Sequence, residues 1–259
     1  MKQLSNLRKA DKAHGDDLSL TRWVKEPGRH TSGRATPLAP ADASRTRFLT
    51  RLLRVADMSS ILVSGHSNVK IGRDVRKGKL KGYWIFTLSL EERATCPRSC
   101  AHWRSCYGNA MPFAKRVDHT DPAFLPALAD EIERLLKKHK RGVLIRLHAL
   151  GDFYSAEYVD FWREQLRKHP NLAIFGYTAR PWASTIGQRL ELGAIEFDRR
   201  WMVRNSNGFS PRMATVSIKA EADCPPNAFV CPEQTGKTIC CATCAACWST
   251  TKNVAFLEH

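Results

Sequence analysis

The sequence lacks any long apolar run. No stretch of about 18 consecutive apolar residues occurs among its 259 residues, so we expect no transmembrane helix and no membrane partner. The first residues, MKQLSNLRKADKAHGDD, contain no apolar segment of a secretory signal, so the expected location is cytoplasmic. Thiols stay reduced in that compartment, which argues against disulfide bonds as the use of the cysteines.

Acidic residues are scarce relative to basic ones. Asp and Glu number 25 against 41 Lys and Arg, which gives a formal net charge of +16 at pH 7. This excess predicts contact with a polyanion, most simply nucleic acid phosphates, with a solvated basic face as the alternative. The charge is densest in KIGRDVRKGKLK, whose basic residues are the predicted nucleic-acid contacts: Lys70, Arg73, Arg76, Lys77, Lys79 and Lys81.

Several familiar motifs are also missing. We find no Gly-rich phosphate loop, dinucleotide-binding fingerprint or Ser–His–Asp arrangement, so nothing points to kinase or hydrolase chemistry. A helix-turn-helix, a Cys/His zinc finger and an RNP motif are absent as well, so the sequence predicts no mode of base readout.

Strand and helix patterns alternate along most of the chain. Residues 1–43 are rich in Gly, Pro, Ser and charge, and we expect them to form a basic, largely disordered arm. A helix is predicted over 44–57, and a capped helix follows Asp121. Predicted strands cover residues 82–90, 142–150, 172–179, 195–205 and 214–220.

This alternation predicts an α/β fold with an open parallel sheet or a partial (β/α) barrel. The predicted core spans 44–220, and a Cys-rich metal-binding tail spans 221–259. Because loops after parallel strands emerge at the carboxyl edge of the sheet, Asp152, Thr178 and Arg180 should gather there with the loop after strand 82–90.

Nine cysteines are present, an odd number that favours metal binding over disulfides. In the tail, Cys241, Cys244 and Cys247 have the C-x2-C-x2-C spacing by which bacterial ferredoxins hold three irons of a [4Fe–4S] cluster. Cys224 and Cys231 both precede proline, as the remote fourth ligand of those proteins does.

Zinc is the alternative for the tail. Four thiolates would bind it, and the candidates are Cys231, Cys240 or Cys241, Cys244 and Cys247. Buried thiols without a metal are a third interpretation.

A second cysteine group directly follows strand 82–90. Cys96, Cys100 and Cys106 are too crowded for a lone nucleophile. Zinc could bind them with His102 or a tail cysteine as fourth ligand. A [4Fe–4S] cluster on three thiolates would leave one iron open to a small molecule.

Polar residues on and after the next strand suggest a site. Arg146 and His148 alternate with Leu147, so both should face one side and line a polar cavity, unless they are satisfied within the core. Asp152 either stabilises the N-terminus of the next helix or binds a ligand.

Several of these motifs resemble known families. CPRSCAHWRSCY is similar to the radical S-adenosylmethionine (radical SAM) pattern C-x3-C-x2-C, with three extra residues before the last cysteine. Together with RLHALGDF, FGYTARP and the Cys-rich end, it resembles the actinophage gene product 88 family, which is radical-SAM-like in pattern. The resemblance covers roughly residues 68–250.

This resemblance implies a radical-SAM-like core with one [4Fe–4S] cluster on Cys96, Cys100 and Cys106. Tyr107 would pack beside the cluster. Gly151 and Asp152 would lie where such enzymes bind the amine of S-adenosylmethionine. The implied cofactor-binding residues are therefore Tyr107, Gly151, Asp152, Arg146 and His148.

The sequence thus predicts a cytoplasmic [4Fe–4S] protein with a radical-SAM-like core that acts on or with nucleic acid. Whether it is an enzyme stays open. The alternatives are a non-catalytic DNA-binding regulator with a structural or redox-sensing cluster, and a zinc-stapled nucleic-acid-binding protein.

Overall fold

The structure is a computed structural model that describes residues 21–25, 33–37, 51–100, 102, 106, 108, 111, 114–206 and 213–258. Its strands are β1 (Thr21–Lys25), β2 (Gly33–Pro37), β3 (Arg51–Leu53), β4 (Val63–Ser64), β5 (Trp84–Ser89), β6 (Lys115–Val117), β7 (Val143–Leu150), β8 (Leu172–Thr178), β9 (Trp201–Asn205), β10 (Thr215–Ile218), β11 (Ala228–Val230) and β12 (Asn253–Leu257). Its helices are α1 (Glu92–Thr95), α2 (Phe124–Lys138), α3 (Ala156–Lys168), α4 (Thr185–Phe197), α5 (Cys241–Cys244) and α6 (Ala246–Ser249).

The main sheet has the strand order β4-β5-β7-β8-β9. Strands β5, β7, β8 and β9 are parallel, while β4 pairs antiparallel with β5. Helices α2, α3 and α4 connect successive parallel strands, and Ser155 and Ser184 cap α3 and α4 through their side chains. This confirms the predicted α/β class with a mainly parallel sheet.

The two faces of the main sheet are covered differently. Right-handed crossovers place consecutive connecting helices on the same face. There, Ile145 and Ile174 of the sheet pack with Trp162 of α3 in what we call the helix-side layer. On the opposite face, Leu144 and Phe175 pack with residues of 71–80 and of the cysteine tail, which we call the tail-side layer.

Two smaller sheets flank the main one. Their strand orders are β2-β1-β3-β6 and β10-β12-β11. A bridge from Leu90 to Val117 connects the first to the end of β5, and a bridge from Asn205 to Ala214 connects β9 to the segment before β10. Both small sheets therefore adjoin carboxyl ends of main-sheet strands.

Three segments of the chain differ from the secondary structure that the sequence predicts. The helix over 44–57 is wrong for its described part, because 51–53 is strand β3, whose backbone pairs with β1 and β6. The disordered arm does not include β1 and β2, which pair with each other, and the rest of 1–43 lies outside the described residues. The strand over 195–205 shortens to β9, since α4 continues to Phe197.

Candidate metal centres

The first cysteine group lies at the carboxyl edge of the main sheet, just after β5 and α1. Burial raises the pKa of the Cys96 thiol far above its ordinary value, and the charges of Asp152, Cys106 and Cys100 raise it further. Burial also raises the pKa of Cys100 and of Cys106. The three thiols interact with one another, and we call this group the edge site.

A buried ion pair fixes the two sides of the edge site. Arg116 of β6 donates from Nε and Nη2 to the Glu92 carboxylate at 2.7 and 2.8 Å, and both side chains are almost fully buried. The same guanidinium donates to the carbonyl oxygens of Gly108, Met111 and Ala114. It therefore connects the helix before Cys96 to the chain after Cys106. Sequence reasoning missed this pair, because Arg116 carries no motif.

Asp152 connects the ends of three strands. Its Oδ2 accepts from the Ala179 N–H at 2.8 Å, its Oδ1 accepts from the Phe153 N–H at 2.7 Å, and its own N–H donates to Thr95 Oγ1 at 3.1 Å. Burial raises its pKa to about 6, against the opposing hydrogen bonds from Ala179, Thr178 and Phe153 and the charge of Arg180. Both carboxylate oxygens thus already accept protein hydrogen bonds.

Arg180 and Gly151 complete this edge. The Arg180 guanidinium donates to the carbonyl oxygens of Phe153 and Thr95, while the Asn205 amide donates to the Arg180 carbonyl at 2.8 Å. A Cβ on Gly151 would lie 2.8 Å from Leu90 Cβ and from Thr95 Oγ1, so close backbone packing accounts for this glycine. The chain thus gathers Asp152, Arg180 and the Cys96 loop at one edge.

The remaining residues predicted for this region lie apart. The His102 Nε2 atom is 3.0 Å from Ser217 Oγ on β10, in an exposed position. The prediction for Tyr107 falls outside the described residues. His148 does not share a side with Arg146. Its Nε2 lies 2.9 Å from Tyr158 Oη in the helix-side layer, and burial lowers its pKa to about 3.

A shift in strand pairing explains this divergence. Leu88 pairs with Leu147 but Ser89 pairs with Leu150, so two residues of β7 are left over and strict alternation ends. Arg146, still in regular pairing, faces the opposite side, where its guanidinium lies 5.3 Å from the Tyr177 ring centroid.

The second cysteine group lines a small cavity beside the tail-side layer. The four thiols on its wall belong to Cys231, Cys241, Cys244 and Cys247, and we call them the tail site. Cys231 follows β11, where its N–H donates to the Ala255 carbonyl on β12 at 2.9 Å, whereas the other three lie on or beside α5 and α6. Burial raises the pKa of Cys241 to about 12, and Cys247 adds to the shift.

Two arginines bring positive charge to the tail site. Arg204 is fully buried, and it donates to the carbonyl oxygens of Cys247 at 3.1 Å and of Thr250 and Lys252. Burial raises the pKa of Cys247, against an opposing hydrogen bond from Tyr177 and the charges of Arg204 and Arg146. The Tyr177 hydroxyl lies 3.1 Å from Cys247 Sγ. The hydrogen bond and the two arginines oppose this rise, although burial outweighs them and the pKa of Cys247 stays above its ordinary value.

Two tail cysteines lie elsewhere. Cys240 is buried in the tail-side layer, with its sulfur 3.7 Å from Thr243 Oγ1. The Cys224 sulfur lies 3.7 Å from the carbonyl of the adjacent Pro225. Among the described residues, neither lines the tail cavity.

Residues 70–81, which we call the basic strip, cross the sheet beside the tail site. Ile71, Val75 and Leu80 are buried in the tail-side layer. The basic side chains between them are exposed: Lys70, Arg73, Arg76, Lys77, Lys79 and Lys81. Asp74 forms ion pairs with Arg73 and Arg76 at 3.1 and 3.3 Å, which offsets part of this charge.

Metal-holding side-chain groups and membrane-spanning helices were both considered for the part of the chain that the structure describes. Within the described residues, no group of three or more His, Cys, Asp or Glu side chains is arranged to hold a metal ion. In the same part of the chain, no helix combines the length and the apolar character needed to cross a bilayer.

Comparison with known proteins places the chain in a phage protein family. Residues 61–195, just over half of the chain, match the family model described as Gene product 88. The chain is 28% identical over 157 residues to the Gene 88 protein of Mycobacterium phage L5, a match that covers 54% of this chain and 65% of that relative. No solved structure matches. The chain therefore belongs to the gene product 88 family.

Proposed function

We propose that this protein binds a [4Fe–4S] cluster at the tail site and acts on or with nucleic acid through the adjacent basic strip. The observation that carries the proposal is the cavity whose wall brings together Cys241, Cys244, Cys247 and the remote Cys231. These are the ferredoxin-type triplet and a fourth cysteine followed by proline. A cluster bound there would supply a reversible one-electron couple.

The four thiols of the tail site and the charges around them fit a [4Fe–4S] cluster. Four thiolates on one cavity would be strongly negative, and buried Arg204 with half-buried Arg146 would offset that charge. Each thiolate of a four-iron cluster binds a different iron, so its sulfurs need not converge on one point. A single zinc ion requires every sulfur within about 2.3 Å of the same centre. The spacing of Cys241, Cys244 and Cys247 is the reason the cluster is proposed ahead of zinc.

The edge site is a second candidate centre. Its three thiols would leave one iron of a cluster open to an outside ligand such as S-adenosylmethionine, and a radical-SAM-like partial barrel stays a prediction. The protein hydrogen bonds on Asp152 argue against this carboxylate as the binding group for the amine. At the edge site, metal binding by the three thiols is therefore the proposal, and an amine contact by Asp152 is not part of it.

Nucleic acid is the proposed partner because the exposed cations of the strip lie on one continuous segment. Phosphate contacts of this kind release counterions and make binding steeply dependent on salt. The buried Ile71, Val75 and Leu80 attach the segment to the tail-side layer, with the charged side chains exposed between and beside them.

Anaerobic iron counting with matched cysteine variants tests the cluster assignment. The double variant Cys241→Ala/Cys244→Ala should lose about four irons per chain together with broad absorption near 400 nm, roughly the wavelength expected for such a cluster. Cys224→Ala, which removes a thiol outside the cavity, should keep them. Unchanged iron in the double variant, or a colourless protein with one zinc ion, would contradict the proposal.

A further inference from the structure

The tail site and the basic strip share a hydrogen-bonded backbone. The Cys241 N–H donates to the Lys70 carbonyl at 2.7 Å, and the Ala242 N–H donates to the Ile71 carbonyl at 2.9 Å. In return, the Arg76 N–H donates to the Ala242 carbonyl at 3.0 Å. A proposed ligand and its neighbour in α5 are therefore fastened to both halves of the strip.

Close packing strengthens this connection. Gly72 has φ +83°, and a Cβ placed on it would lie 2.7 Å from Ala242 Cβ and 2.8 Å from Cys240 Sγ. The strip can approach α5 this closely only because no side chain intervenes. Ile71 and Val75 of the strip also share the tail-side layer with Trp248 of α6.

A charged group of the strip also contacts the wall of the tail cavity. The Lys70 ammonium lies 3.9 Å from a carboxylate oxygen of Glu233, a residue of the cavity wall. A change at the tail site therefore has both mechanical and electrostatic routes to the strip.

The tail segment depends on something beyond its own backbone for order. Helices α5 and α6 have four residues each, far below the roughly 12 residues at which an isolated helix becomes even marginally stable. A metal centre that bonds Cys241, Cys244 and Cys247 to Cys231 would cross-link these short helices to the end of β11. Since α5 carries the hydrogen bonds to the strip, the same cross-link would fix the strip.

We propose that metal loading of the tail site and nucleic-acid binding by the basic strip are thermodynamically coupled, so that the loaded protein binds nucleic acid more tightly. The inference rests on the proposed function. Metal loading would strengthen nucleic-acid binding by holding the basic strip in one conformation. The negative charge that a bound cluster adds acts the other way, because it offsets part of the positive charge of the strip, and solvent screening weakens this effect at the exposed side chains.

Coupling of this kind is reciprocal. If loading strengthens nucleic-acid binding by a given factor, bound nucleic acid must strengthen metal retention by the same factor. Coupling between two sites in one protein commonly lies between about 5-fold and 150-fold. We expect about tenfold here, because three backbone hydrogen bonds and one packed face connect the two sites.

Fluorescence anisotropy with a labelled 20-base-pair DNA duplex measures the coupling in the full chain. The iron-loaded protein should bind about tenfold more tightly than the stripped protein. The duplex should also raise the chelator concentration that removes half of the iron. Equal affinity of the two forms would overturn the coupling and leave the proposed function intact. Absence of salt-dependent binding by either form would overturn both, and absence of metal at the tail site would overturn the proposed function itself.

Two glycine variants separate coupling from general destabilisation. Gly72→Ala should weaken duplex binding of the loaded protein several-fold, because its methyl group pushes the strip away from α5. Gly236→Ala is the matched control, since Gly236 also has a positive φ, +71°, but a Cβ there meets no atom within 4 Å. Both loaded variants are compared by circular dichroism and iron content. Equal affinity of the two variants would overturn the inference, whether or not the stripped protein stays folded.

Discussion

The edge site and the tail site differ most in the charge that surrounds their thiols. At the edge site, the carboxylates of Asp152 and Glu92 act on Cys96 and raise its pKa further. At the tail site, Arg204 and Arg146 act on Cys247 in the opposite direction. The comparison shows that burial raises the thiol pKa at both sites, while the charged neighbours of Cys96 and of Cys247 act in opposite directions. At the edge site, the buried Glu92 carboxylate is itself paired with Arg116.

The ion pair of the edge site should give the largest effect on stability. Arg116→Met leaves the Glu92 carboxylate buried without its partner, so we expect a loss of about 3–5 kcal/mol in the free energy of unfolding. Urea denaturation measures it. The control Arg167→Met removes a half-exposed partner of Glu196 and should cost less than about 1 kcal/mol. A loss at Arg116 no larger than the control's would show that the edge does not depend on this pair.

The corresponding arginine of the tail site should give a smaller loss and a selective loss of metal. Arg204→Met leaves the carbonyl oxygens of Cys247, Thr250 and Lys252 without this donor, which we expect to cost about 2–3 kcal/mol. Iron analysis of the purified variant should show the same loss as the double variant Cys241→Ala/Cys244→Ala. Iron equal to that of the wild type would show that Arg204 does not support metal binding at the tail site.

The buried His148 of strand β7 should make the free energy of unfolding depend on pH. The His148 pKa of about 3 in the folded state lies below its ordinary 6.5, so the unfolded chain binds its proton first as pH falls. His148 therefore destabilises the fold increasingly below pH 6.5, by up to about 1.4 kcal/mol per pH unit. Relative to wild type, His148→Gln should gain about 2 kcal/mol between pH 6.5 and pH 5.

The wild type and His148→Gln must be compared because Asp152 changes the stability of the fold with pH in the opposite direction to His148. Its pKa is raised to about 6 in the folded state, so its protonation stabilises the fold as pH falls toward its ordinary value. The contributions of His148 and Asp152 to the slope of stability against pH offset each other in the wild type. Only the difference between wild type and His148→Gln therefore isolates the contribution of the histidine. A pH-independent difference would show that the pKa of His148 is the same in the folded and unfolded states.

The smallest effect is expected from a single hydroxyl at the tail site. Tyr177→Phe removes a hydrogen bond to Cys247 Sγ that favours the more negative, reduced state of a bound cluster. A bond of about 1 kcal/mol corresponds to a reduction potential lower by about 40 mV. Protein-film voltammetry would measure it, with Cys224→Ala as the control variant. A potential equal to that of the wild type would show that the Tyr177 hydroxyl does not act on the bound cluster.

The sequence by itself determined the α/β class and the grouping of cysteines into two sets. These are local properties, because apolar periodicity and thiol spacing involve residues close together in the chain. The gathering of Asp152 and Arg180 at one edge also followed from the sequence, since parallel strands end on the same side.

Only the tertiary structure decided which side chains share a site. It placed Cys241 on the cavity and the adjacent Cys240 in an apolar layer, and it turned His148 away from Arg146 through a shift in strand pairing. Segment 51–53 became a strand because β1 and β6 supply its backbone partners. Arg116 and Arg204 gained their roles from groups on other elements. Such outcomes depend on which distant segments meet, and no local pattern records that.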